Sequence, residues 1–230
     1  MAPSKNKGDD MILSYHDVVL RRSDLDILRG PCHLNDRLIE FYFAHIASTA
    51  SSPAALLVPP SISFWLAHCL DPQSHRECVD ALRLPDRDLV FFTVNDNLDV
   101  SAAEGGSHWS LLVYFRETNE FVHHDSCRGV NRLHAESLFR AVSGFVDGGG
   151  GEYPRFVEGF TPQQTNGYDC GLYALAVAKT IYDWYVPRRD GCGNKMDRWF
   201  TAMEKEVDAD KVAKLRGEIL RLILSFMESK

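Results

Sequence analysis

The stretch Cys170–Trp184 (CGLYALAVAKTIYDW) constrains the fold more than any other, because it is apolar on nearly every side. A helix of that kind cannot rest on a surface with one face in water; it has to run through the middle of a core. A polar, turn-rich stretch, Pro162–Asp169, leads into it, and Pro187 is expected to stop it. The rest of the chain must wrap around it. With 230 residues, 45% of them hydrophobic, there is enough apolar surface for one sizeable core, and the length fits a single large domain.

Both kinds of secondary structure are available for the wrapping. Leu89–Val94, His108–Phe115 and Glu120–His124 are short β-branched or aromatic runs between turn residues, and read as consecutive strands. Only Arg116–Asn119 separates the last two, which makes them a hairpin and antiparallel neighbours. From Leu34, LNDRLIEFYFAHIA places Leu38, Phe41, Tyr42 and His45 on one helical face, with Asn35 or Asp36 as N-cap. Further helical patterns cover Ser63–Leu70, Ser74–Leu82, Asn131–Val146 and Met196–Met227, and Arg155–Val157 is an edge-strand candidate. Ser48–Pro60 reads as a surface loop and Asp147–Gly151 as a flexible linker. Met11–Leu28 is a structured lead-in whose type the pattern does not decide. Residues 1–10 read as a flexible tail and 11–230 as one domain. The expected class is α+β, with a central, mainly antiparallel sheet beside the helix that starts at Cys170.

Charge and hydropathy narrow the function. Set against 25 Lys and Arg, 32 Asp and Glu leave a net charge of −7, the wrong sign for neutralising phosphates, so neither nucleic acid nor an anionic membrane is expected as partner. No run approaches the roughly 20 apolar residues of a bilayer span, and MAPSKNKGDD lacks the apolar segment of a secretory signal. A cytoplasmic or nuclear location is the expectation, where the six cysteines would be free thiols.

Two patches carry the chemistry: GGSHWSLLVY with HHDS, and PQQTNGYDCG. His108 opens one strand and Asp125 closes the next, and an antiparallel hairpin brings those ends to one sheet edge. There an acid can hold an imidazole in the required tautomer and stabilise its protonated form. Cys170 begins the apolar helix, where unsatisfied N–H groups and the positive helix end favour a thiolate nucleophile. Oxyanion donors would be the backbone N–H of Cys170 and the side-chain amide of Gln164, six positions upstream. Cys32, Cys69, Cys78, Cys127 and Cys192 read as small buried hydrophobes, and His16, His45, His68, His75 and His134 as structural. His123 and His124 are alternative bases, but neither begins a strand opposite the acid. The group His68, Cys69, His75 and Cys78 does not match a common zinc spacing, so no metal is expected.

In the order His, Asp, Gln, Cys, the runs HWSLLVY, HHDS and QQTNGYDCG resemble the Ulp/SENP cysteine proteases that act on ubiquitin-like modifiers. Within them, ILSYHDVVLRRSDLDIL, LNDRLIEFYF and VNDN look like the deneddylase (NEDD/RUB-specific) branch. The resemblance spans roughly Met11 to Tyr185. It implies a papain-like fold of the Ulp type and cleavage after a C-terminal diglycine, by precursor processing or deconjugation, with no cofactor. It implies His108 as base, Asp125 as orienting acid, Gln164 as oxyanion donor and Cys170 as nucleophile. A channel for the modifier's tail would be bordered by His33, Leu34, Asn35, Asp36 and Trp109, under a flap at Asn95–Ser107 that includes Asp96 and Asn97 and is expected to be mobile without substrate. Implied partners are NEDD/RUB and conjugates such as cullins, met by a monomer. The family commonly has Trp where this chain has His33. A SUMO protease of the same family, a non-catalytic module binding ubiquitin-like folds, and acyl transfer to an acceptor other than water remain as alternatives.

Overall fold

The computed structural model describes residues 10–49, 52–100, 105–146, 151–189, 203 and 205–229. The expected tail apart from Asp10, the Asp147–Gly151 linker apart from Gly151, residues 101–104 of the flap and most of 186–202 lie outside the described residues.

The lead-in resolves into a hairpin, β1 (Met11–Tyr15) and β2 (Val18–Arg21), followed by α1 (Arg22–Arg29). His16 takes φ 50° in the tight turn between the strands. Asp24 closes the start of α1 by accepting from the amide of Arg21 at 2.7 Å. The next helix, α2 (Asp36–Thr49), is capped as expected: Asn35 Oδ1 accepts from the amide of Leu38 at 3.1 Å. Ser48–Pro60 is not a loop throughout, as its composition suggested; α2 runs to Thr49, and β3 (Ala55–Leu57) pairs in parallel with β4 (Leu89–Asn95). Three residues between prolines carry no alternation, and the ladder that makes them a strand comes from a partner more than thirty positions away. Between them lie α3 (Pro60–His68) and α4 (Pro72–Leu82), each with Pro in its first turn.

The central sheet has the order β3-β4-β5-β6-β7, with β5 Trp109–Phe115, β6 Glu120–His124 and β7 Arg155–Glu158. It is antiparallel through its long middle strands, where β5 pairs with β4 and β6, and parallel only along the short margins, so the sheet is mixed but mainly antiparallel, as expected. The turn of the β5–β6 hairpin closes through the Asn119 amide on the Arg116 carbonyl at 3.1 Å, with Asn119 at φ 51°. Side chains alternate across the sheet: Leu89 and Phe91 of β4 with Leu111 and Val113 of β5 face one core, and Val90, Phe92, Leu112 and Tyr114 the other. The second core is closed by α3, α4 and α5 (Arg132–Val142).

The first core holds α6 (Cys170–Arg189), buried among β5, α2 and α7 (Ala209–Glu228) as its all-round apolarity requires. Pro187 does not stop α6, which runs to Arg189; so near the end, its missing N–H costs one bond of the last turn. Among the described residues no helix is long and apolar enough to cross a membrane.

Candidate active site

His108 immediately precedes β5 and Asp125 immediately follows β6, so the pairing of these strands sets the two side chains together at one sheet end. Nε2 of His108 lies 2.6 Å from Oδ1 of Asp125, which leaves Nδ1 for a second partner. Cys170 stands at the first position of α6, near enough to count, after Asp125, among the hydrogen-bonding neighbours that raise the ring. Burial opposes a charge on His108, but the bond to Asp125 and then the contributions of Cys170 outweigh it and push the imidazole up to about 10. The ring is therefore a cation at neutral pH. Burial likewise works against charge on Asp125, yet hydrogen bonds from His108 and from the amides of Asn131 (3.1 Å) and Cys127 (2.9 Å) hold its carboxyl below the usual range.

Asn131, which sequence reasoning missed, holds this pair from behind. An Asn just before a helix reads as a cap, but this side chain caps nothing. It is fully buried and donates to the carbonyls of Val94 (3.2 Å) and His108 (3.1 Å) and to Ser110 Oγ (3.1 Å). The rival histidines have other duties. His123 bridges Ser110 Oγ at 2.9 Å and Glu158 at 3.1 Å. His124, on the opposite face, bonds Phe160 O and Thr161 Oγ1 at 3.2 Å, and burial, then the neighbouring His123, push it down to about 3.

The loop before Cys170 is laced to the end of β6. Gln164 accepts from Ser126 Oγ at 2.8 Å, which fixes its amide so that Nε2 points the other way and donates to Asn166 O at 2.6 Å, with one N–H to spare. Gln163 is the structural member of the pair: it accepts from the Arg128 amide and donates to the carbonyls of Asp125 and Thr161. Asn166 Oδ1 accepts from the amides of Tyr168 and Asp169 at 3.1 and 3.0 Å, turning the chain into α6. The amide of Cys170 then stands at the first helical position, where the helix offers it no acceptor.

The expected channel residues divide. Asp36, Asn97 and Trp109 line one cleft of about 660 Å³, together with Asn95, Trp65 and Val100. His33 stands apart, its Nδ1 3.8 Å from the sulfur of Cys170, which is itself only 1% exposed. Leu34 is buried, accepts from Trp109 Nε1 at 2.9 Å through its carbonyl, and packs against Gly171, where a Cβ would come within 3.0 Å. Asn35 is spent on the α2 cap and on Asp24, 2.7 Å away. Asp96 is spent on Ser107 and on the amide of His108 (3.0 Å), so it anchors the flap and the base instead of facing the cleft. Of the other cysteines, Cys32 and Cys127 are exposed and Cys69 and Cys78 half-buried, not buried hydrophobes as expected, because each lies on a loop or a solvent-facing helix side; Cys192 lies outside the described residues. Among the described residues no three His, Cys, Asp or Glu side chains are grouped to hold a metal ion.

Residues 72–213 match the Ulp1 protease family, C-terminal catalytic domain. The chain is 52% identical over 219 residues to NEDD8-specific protease 1 of Arabidopsis thaliana, covering 95% of both chains. It is 36% identical over 176 residues to human Sentrin-specific protease 8, covering 75% of this chain and 82% of that one. Among solved structures, the C-terminal Ulp1 protease domain in complex with Smt3, the yeast ortholog of SUMO, superposes with a TM-score of 0.68 at 19% identity, covering 95% of this chain and 88% of that one. The chain belongs to the Ulp1 protease family.

Proposed function

We propose that this family member is a deneddylase: a cysteine protease that cleaves after the C-terminal diglycine of a NEDD8/RUB-type modifier, in precursors and in isopeptide conjugates such as those of cullins. The observation that carries the chemistry is the 2.6 Å pairing of His108 with Asp125, which leaves one ring nitrogen for the sulfur at the head of α6. The modifier class is supported by the 52% identity to a NEDD8-specific protease along nearly the whole chain. Cys170 is 1% exposed and His33 Nδ1 lies 3.8 Å from its sulfur, so only a slim chain end can reach it, which fits a diglycine tail.

Cys170 Sγ attacks the terminal glycine carbonyl, and the carbonyl oxygen takes the negative charge, met by the Cys170 amide and the spare N–H of Gln164. Protonated His108 gives its proton to the departing amine as the C–N bond breaks, leaving a thioester. Neutral His108 then takes a proton from water, whose oxygen attacks the thioester and frees the modifier and the thiol. Asp125 keeps the ring oriented through both steps.

The test is a panel of NEDD8, SUMO and ubiquitin fused through their C-termini to a reporter. Release from the NEDD8 fusion, fastest of the three and abolished in Cys170→Ala, is the expected result. Fastest release from SUMO would overturn the specificity, and release unchanged in Cys170→Ala would overturn the mechanism.

A further inference from the structure

We propose that Arg216, on α7, is a positioning residue for the nucleophile, holding in register the two backbone segments that meet at the sulfur; this rests on the protease reading above and deepens it. Its side chain is 12% exposed, and that of its partner Asp169 is 8% exposed. Nη1 donates to the carbonyls of Ile27 (2.9 Å) and Gly30 (3.1 Å), and Nη2 to the carbonyl of Cys32 (2.9 Å) and to Asp169 Oδ1 (2.7 Å). The guanidinium carbon stands 5.6 Å from the centre of the Tyr168 ring. All the terminal N–H groups of the guanidinium are thus committed in one plane.

The placement of these acceptors carries the argument. Cys32 precedes His33, and Asp169 precedes Cys170. One rigid fork therefore grips the chain a single residue upstream of each of the two side chains that face each other across 3.8 Å. An anchor for α7 alone would need only the bonds to α1 and its end, at Ile27 and Gly30; the two Nη2 bonds reach past α1 to both flanks of the sulfur. His108 is held by a different set, Asn131, Asp125 and the Asp96 carboxylate, so loss of Arg216 leaves the acid–imidazole pair in place and shifts the nucleophile against the His33 wall. Arg216 lies beyond residue 213, where the match to the family domain ends. A misplacement of about 1 Å at a reacting centre costs on the order of a hundredfold in rate.

The test compares Arg216→Gln and Arg216→Lys with the wild type on the NEDD8 fusion, at a temperature where circular dichroism shows all three folded. We expect kcat of Arg216→Gln to fall by about tenfold or more with KM changed by less than about threefold, since the Arg216 side chain is only 12% exposed and spends its bonds inside the protein. The Lys variant should recover part of the loss, because it keeps a charge for Asp169 but cannot span the carbonyls as a fork. In a His33→Ala background the loss should shrink, because both changes act at one junction. An unchanged kcat, or an equal loss in both backgrounds, would make Arg216 a mere anchor and overturn the proposal. Should both Arg216 variants unfold, Asp169→Asn carries the same comparison from the other end of the pair. A wild type that leaves the fusion intact would count against the protease reading alone. The register is then read by NMR: the His33 ring-proton resonance should move on Cys170→Ser when Arg216 is present and stay put in Arg216→Gln, and an equal movement in both would overturn it.

Discussion

The side-chain amide of Asn131 donates to the carbonyl of His108 at 3.1 Å while its own backbone N–H donates to Asp125 at 3.1 Å, so one buried residue fixes both halves of the acid–imidazole pair. The same amide also reaches Ser110 Oγ, which His123 holds on its other side, and His123 continues to Glu158. The catalytic edge is thereby tied through β5 and β6 to β7.

Asn131→Ala should destabilise the fold by roughly 2–4 kcal/mol, because it strands buried acceptors as well as removing bonds. In the fraction that stays folded, kcat should fall by about tenfold or more as His108 loses its backbone tether. Urea unfolding and turnover of the NEDD8 fusion measure the two effects. Wild-type values for both would show that Asn131 holds nothing.

The protonation of His108 predicts a stability loss on the alkaline side. Folded His108 keeps its proton up to about 10, whereas an ordinary histidine releases it near 6.5. A proton held by the folded chain and not by the unfolded one stabilises the fold fully below pH 6.5 and progressively less as pH rises through 10. Resistance to urea should therefore decline from neutral pH to pH 10 by on the order of a few kcal/mol at most, and the decline should flatten in His108→Gln. A wild type that is equally stable at both ends of that window would contradict the ion pair. Asp125 acts in the opposite direction: its stabilisation is present above the ordinary carboxyl value of 3.8 and is lost as pH falls further.

Gln164→Ala should lower kcat by about 10²- to 10³-fold with KM nearly unchanged, the loss expected for one oxyanion donor. Gln163→Ala should instead lower thermal stability, since its bonds join the 161–164 loop to Arg128 and Asp125. Steady-state kinetics and melting curves on the two neighbours separate these roles; the reverse pattern would exchange them.

Gly106 sits at φ 76°, and a Cβ there would fall 1.9 Å from Asn95 Oδ1 and 2.7 Å from Asp96 Oδ1. Gly106→Ala should displace Asp96 from the His108 amide, reducing kcat and loosening residues 96–100 enough to raise their proteolysis. Limited thermolysin digestion, which can cut before Leu98 and Val100, beside a turnover assay reports both, and an unaltered digestion pattern would show that the site tolerates a side chain.

Much of this protein was legible in residue order. The all-round apolar run from Cys170 made a buried helix unavoidable, and the β5–β6 hairpin made His108 and Asp125 neighbours, because strand pairing across a four-residue turn leaves no other register that buries both faces. The turn-rich run before the apolar stretch likewise placed Cys170 at a helix start and Gln164 in the loop ahead of it. Tertiary structure alone decided what the flanking residues do. Asn35 and Asp96 became tethers, Asn131 became a brace, and β3 became a strand by pairing with β4. Arg216 reached carbonyls nearly two hundred positions upstream. Such roles depend on which backbone acceptors arrive from distant parts of the chain, and neither periodicity nor spacing encodes the partner of a buried polar group until packing has removed the water that would otherwise satisfy it.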